Sequence, residues 1–300
     1  MRAPFTGCGT ALVTPFDSAG AVDAATVRRL ARRQIDAGIH FLVPCGTTGE
    51  TPTLSASERR RVVELVVEEA AGEVPVLAGA GGYDTRSVID AARDMEAAGA
   101  QGLLSVTPYY NKPTPEGLFR HYQAIAHATP LPIIVYNVPG RTGCNVTPPT
   151  LTRLASLPTV IGVKEASGDI TQISEICRLL PSDFIVLSGD DAMTLPAMAV
   201  GARGLISVAS NEAPAEMVGI VEAAEKGDFA NAREEHQRLM PLMLANFVES
   251  NPIPVKTAMA QMGLLEETFR LPMVPPSPDT RQRLEHVLAE VGLLPASAKR

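Results

Sequence analysis

Short apolar runs rich in Val, Ile and Leu alternate with longer amphipathic segments from residue 8 to about residue 225, and no other feature restricts the fold as much. Such short runs read as strands buried on both faces, whereas apolar residues three and four apart read as helices packed on one side. The strands fall at 9–14, 41–44, 75–78, 102–106, 133–137, 160–164, 184–188 and 204–208, with helices such as 24–37 and 57–71 between them. One junction recurs three times, in Ala37-Gly38-Ile39-His40-Phe41, Ala98-Gly99-Ala100-Gln101-Gly102 and Val200-Gly201-Ala202-Arg203-Gly204. Each reads as a helix end, a glycine stop and a new strand.

Strands that are continuous apolar runs, each followed by a helix, imply a parallel sheet covered on both faces. Eight of them predict an α/β fold of the (β/α)8 TIM barrel type. A doubly wound open sheet shares the alternation, and periodicity alone leaves it open. Beyond residue 225 the strand signal stops, while 228–249, 254–264 and 278–291 look helical. Pro254 suits a first helical position, and Pro241 is expected to kink the long helix. The reading is a catalytic barrel over 1–225 and a C-terminal helical region over 226–300, packed on the barrel without a linker of its own.

The 300 residues carry 33 acidic and 26 basic side chains, a net charge of −7, which argues against a nucleic-acid partner and for small-molecule work. The longest stretch without Asp, Glu, Lys or Arg, 121–140, contains two histidines, a glutamine and three prolines, so no membrane span is expected. The first residues lack a secretory signal pattern, and Cys8, Cys45, Cys144 and Cys177 form no Cys-x-x-Cys pair. A cytoplasmic location with free, mostly buried thiols is expected. No metal-ligand spacing joins His40, His121, His127, His236 and His286, and Gly79-Ala80-Gly81-Gly82-Tyr83-Asp84 does not complete a dinucleotide fingerprint.

Lysine is scarce: only Lys112, Lys164, Lys226, Lys256 and Lys299 are present, and Lys164 ends the apolar run Val160-Ile161-Gly162-Val163. Strand carboxyl ends face the mouth of a parallel barrel, where catalytic side chains project. A lysine buried there loses part of its basicity and can act as a Schiff-base nucleophile, although a strand-end lysine can also simply reach solvent. If the strand continues, Glu165 points to the opposite face and does not pair with it.

Gly46-Thr47-Thr48-Gly49-Glu50 brings hydroxyls and loop N–H groups to the same end, and suits a carboxylate better than a triphosphate. Tyr136 ends the strand before that of Lys164, within reach for proton transfer, or serves as a core aromatic. The loops 107–113 and 137–143 are placed for substrate contacts, and Arg141 could fork onto a carboxylate or lie on the surface. Asp190 and Asp191 could hold Mg²⁺, but helix N-capping is preferred. The arginines at 28, 29, 32 and 33, and at 59–61, read as solvated helix faces.

With Gly46-Thr47-Thr48-Gly49-Glu50, Tyr136-Asn137-Val138-Pro139 and Gly162-Val163-Lys164-Glu165 in place, the chain resembles the dihydrodipicolinate synthase and N-acetylneuraminate lyase superfamily of pyruvate-dependent class I aldolases. The likeness runs from Gly9-Thr10-Ala11 to Asn251-Pro252-Ile253-Pro254-Val255-Lys256. It implies a (β/α)8 barrel in which Lys164 forms an imine with pyruvate, Thr48 and nearby amides hold the pyruvate carboxylate, and Tyr136 shuttles protons. In the synthase branch it further implies that Thr47 and Tyr110 complete the relay, with Tyr110 donated across a subunit interface. Arg141 would hold the carboxylate of aspartate semialdehyde, and the Ile206 carbonyl would face the site.

The implied reaction gives 4-hydroxy-tetrahydrodipicolinate for lysine and diaminopimelate synthesis, with no metal or cofactor beyond the pyruvate imine on Lys164. A homotetramer built as a dimer of dimers is expected. Ala56, Arg59, Tyr83 and Ser87 stand where lysine-inhibited members carry other residues, so weak or absent inhibition by lysine is expected. The alternatives are an aldolase acting on a 2-keto-3-deoxy sugar acid and a non-catalytic pyruvate-binding barrel; Arg141 and Tyr110 favour the synthase branch.

Overall fold

A computed structural model describes residues 4–295. Eight parallel strands run in the order β2-β1-β8-β7-β6-β5-β4-β3: β1 (Gly7–Ala11), β2 (Phe41–Val43), β3 (Leu77–Gly79), β4 (Gly102–Val106), β5 (Ile133–Asn137), β6 (Val160–Glu165), β7 (Ile185–Ser188) and β8 (Gly204–Ser207). The ends of this order meet. Leu42 bridges Val76 in parallel, and the Gly79 N–H donates to the Pro44 carbonyl at 2.9 Å, which closes the sheet into a barrel. Closure excludes the open doubly wound alternative, since that fold leaves two free edges.

The helices between strands start where capping chemistry is written into the chain. Asp23, Asp84, Thr114 and Asp169 each accept backbone N–H groups of a first turn, and Ser55 and Glu58 form a reciprocal capping box. At the repeated junction Gly38, Gly99 and Gly201 have φ of 85°, 89° and 117°, a region open to glycine, so the chain reverses there into β2, β4 and β8.

Side chains alternate between two apolar regions. Phe5, Phe41, Leu77, Ile134, Leu187 and Ile206 fill the barrel interior, while Val63, Leu103, Ile133, Val163 and Ile176 belong to the layer between strands and helices. The helices Phe229–Ala245, Ile253–Gln261 and Pro278–Glu290 complete the fold. Leu239, Met243 and Leu284 share one apolar cluster with Leu42 and Leu205 of the barrel, so the C-terminal region and the strands are continuous in packing. Helix 229–245 runs through Pro241 and stops four residues short of the expected end, where Asn246 caps it.

Candidate active site

A one-residue irregularity sets the site. Ile133 pairs with Val160 but Ile134 pairs with Gly162, so Ile161 is an extra residue in β6. Beyond this bulge the register places Lys164 opposite Tyr136 and Glu165 opposite Asn137. Register partners in adjacent parallel strands face the same way, so Lys164 and Tyr136 both point into the barrel mouth. The Lys164 ammonium lies 4.4 Å from the centre of the Tyr136 ring.

Glu165 points the other way. Its carboxylate accepts from Asn137 Nδ2 at 2.8 Å, from Gln172 Nε2 at 3.2 Å and from the Ser167 N–H at 2.7 Å, which consumes its charge in the outer layer. Lys164 therefore has no ion-pair partner beside it on its own strand. It is 5 % exposed, and burial pulls its pKa down to about 8; Asp191 opposes the shift and Arg141 adds to it. At pH 7 about one molecule in ten then carries a free amine, against about one in a few thousand for an exposed lysine. Burial also raises the Tyr136 phenol, with Arg141 and a hydrogen bond from Thr47 acting against it.

A cavity of about 130 Å³ holds Lys164 together with Thr47, Thr48, Tyr136, Arg141 and Asn251. A second cavity of about 260 Å³ shares Thr47, Tyr136, Val138 and Arg141 and extends to Cys45, Arg59 and Tyr109. Thr48 is buried and its hydroxyl accepts from Asn251 Nδ2 at 3.0 Å, while Arg141 donates to the Asn251 carbonyl at 3.3 Å. Asn251, Gly189 and Phe247 thus belong to the cavity wall although sequence reasoning gave none of them a role. The Asn-Pro-Ile-Pro motif was the available signal for Asn251; nothing in the sequence marks Phe247.

Some expected residues sit elsewhere. Tyr110 is 93 % exposed at φ 69° and lines neither cavity, whereas its neighbour Tyr109 lines the larger one. Ile206 is buried in the barrel interior, paired with Gly9. Asp190 and Asp191 do not cap the helix Thr194–Ala199 with their side chains; Asp191 is buried and accepts from Ser207 Oγ and the Val208 and Ala209 N–H groups, tying the ends of β7 and β8 together.

Two arginines also depart from the solvated-face reading. Arg33 donates to the Asn211 and Glu212 carbonyls, and Arg59 lines the larger cavity. Of the other positions weighed for lysine, Tyr83 packs edge-to-face on Tyr109 and Ser87 donates to Asp84, while Ala56 opens the helix 56–70. Among the described residues, no group of three or more His, Cys, Asp or Glu is placed to hold a metal ion. Nor is any described helix long and apolar enough to cross a membrane.

A buried lysine beside a tyrosine and two threonines at the mouth of a closed (β/α)8 barrel has the makings of an imine-forming site. Residues 4–291 match the Dihydrodipicolinate synthetase family. The chain belongs to this family. It is 53 % identical over 289 residues to the 4-hydroxy-tetrahydrodipicolinate synthase of Koribacter versatilis, an alignment covering 96 % of each chain. The crystal structure of dihydrodipicolinate synthase from Thermotoga maritima superposes with a TM-score of 0.95 at 47 % identity, covering 97 % of this chain and 100 % of that one. A chloride-inhibited family enzyme from Acinetobacter baumannii, solved in complex with pyruvate, gives a TM-score of 0.95 at 39 % identity over 96 % of this chain and 99 % of that one. The segment from Asn251 to Lys256 lies inside the family match, as do all the cavity residues named above.

Proposed function

We propose that this chain is a lyase that condenses pyruvate with L-aspartate 4-semialdehyde to give 4-hydroxy-tetrahydrodipicolinate and water, a step of lysine and diaminopimelate synthesis. The observation that carries the reading is Lys164, buried in the barrel mouth against Tyr136 with Thr47, Thr48 and Arg141 around one cavity. Its lowered basicity supplies the free amine that attacks the C2 carbonyl of pyruvate, and loss of water leaves an imine on Nζ. The imine withdraws electrons from the pyruvate methyl group, a proton leaves it, and the resulting enamine carbon attacks the aldehyde carbon. The amino group of the second substrate then closes on C2 and releases Lys164, so the nucleophile returns unchanged and one water is lost overall.

Each remaining residue has a task in that sequence. Thr48 and the N–H groups of Thr47 and Thr48 hold the pyruvate carboxylate, and Tyr136 with Thr47 moves protons to and from the C2 oxygen. Arg141, at the rim, takes the carboxylate of the aldehyde substrate. Tyr110 completes the relay from a second copy of the chain, which requires at least a dimer and fits a homotetramer. The reaction as written draws on no metal or cofactor.

Intact-protein mass spectrometry after treatment with pyruvate and borohydride tests the reading. One reduced pyruvate adduct per chain is expected, and none on Lys164→Ala. Absence of an adduct on the folded wild-type protein would refute the imine mechanism and leave a binding barrel.

A further inference from the structure

The turn that bears Thr47 and Thr48 ends on a residue that lines neither cavity of the site. Glu50 caps the turn Thr47–Gly49 in the left-handed region, with φ 53° and ψ 33°, and is buried. A non-glycine residue holds that conformation only where its surroundings enforce it. Its carboxylate reaches Lys256 Nζ at 2.5 Å and lies 3.4 Å from the Arg270 N–H. Lys256 is fully buried, donates a second bond to the Thr268 carbonyl at 2.7 Å and stands 4.4 Å from the centre of the Phe16 ring. The proposed mechanism uses neither charge.

A buried ion pair is weak as a source of stability, because desolvation offsets most of the attraction and well-packed apolar pairs often serve as well. What such a pair does supply is directional restraint. Here the C-terminal region supplies three of the contacts that hold the turn, Asn251 on Thr48 and Lys256 and Arg270 on Glu50, beside the bond from Thr14 Oγ1 to the Gly49 carbonyl at 2.7 Å. We propose that Lys256 and Glu50 are positioning residues, the buried link through which the C-terminal helices hold the Thr47–Gly49 turn in the geometry that receives the pyruvate carboxylate. The proposal rests on the reading of that turn as the pyruvate carboxylate site.

The double variant Glu50→Gln/Lys256→Met removes both charges without leaving one unpaired. Its melting temperature is expected to stay within a few degrees of wild type, while KM for pyruvate rises about tenfold or more and KM for aspartate semialdehyde is unchanged, since only one carboxylate site is loosened. Borohydride trapping should require a correspondingly higher pyruvate concentration. Wild-type pyruvate saturation in the folded double variant, or an equal rise in both KM values, overturns the proposal. If the double variant does not fold, Glu50→Asp, which keeps both charges but shortens the link by a methylene, carries the same expectation and the same refutation. Failure of the wild-type protein to trap pyruvate at all would instead remove the underlying reading.

Discussion

Lys164 illustrates how function is set against stability at a single residue. Its pKa falls from the ordinary 10.5 to about 8 on burial. Between those values the unfolded chain binds the more protons, so the stability of the native state rises with pH from about 8 to about 10.5; below 8 the full cost of burying an ammonium remains. Lys164→Met should therefore be more stable than wild type at pH 7, by on the order of 2–3 kcal/mol, and the gain should shrink towards zero as pH approaches 10.5. Urea unfolding of both proteins across pH 7 to 10 checks this, and a pH-independent difference would refute it. By the same linkage, the rate of imine formation should climb with pH through about 8 as the free amine accumulates.

At the scale of elements, the ends of β6 and β7 act together. A Cβ at Gly189, just past β7, would stand 2.6 Å from the Ala166 Cβ and 3.1 Å from Lys164 Cε. Gly189→Ala is thus expected to displace the nucleophile and lower kcat at least tenfold, with a loss of roughly 1–3 kcal/mol in stability from overpacking. Steady-state kinetics and thermal unfolding of the one variant measure both effects. The bulge at Ile161 belongs to the same scale, because it turns Lys164 inward next to Tyr136. A sequence shows that Val160–Lys164 is apolar and strand-like; it does not show which residue will be left out of register, since that depends on the partner strand.

The whole molecule raises the question of Tyr110, which stands out into solvent, away from its own chain's cavities. If a second copy receives it, mixing two inactive proteins should restore activity. A hybrid of Lys164→Ala and Tyr110→Phe subunits has one site with both residues intact. Random pairing then recovers about a quarter of wild-type activity, because half of the pairs are hybrids and each has one working site of two. Recovery absent from subunits shown by mass spectrometry to have exchanged would mean that Tyr110 acts within its own chain or not at all.

Much of this protein was legible in its residues. Period and glycine stops are local properties, and they specified eight strand–helix units, the C-terminal helices and the carboxyl end of the strand where Lys164 stands. The hydroxyl-bearing turn at 46–50, Tyr136 and Arg141 were found in the same way, by residue type at a strand end. Tertiary structure decided what depends on distant pairing: that β2 and β3 meet, that Asp191 clasps the β8 loop instead of capping a helix, and that Asn251 and Lys256 reach back to Thr48 and Glu50. Local patterning follows from the geometry of one segment, whereas these contacts join residues up to about 200 positions apart, and only packing of the closed barrel against its C-terminal helices brings them within bonding distance.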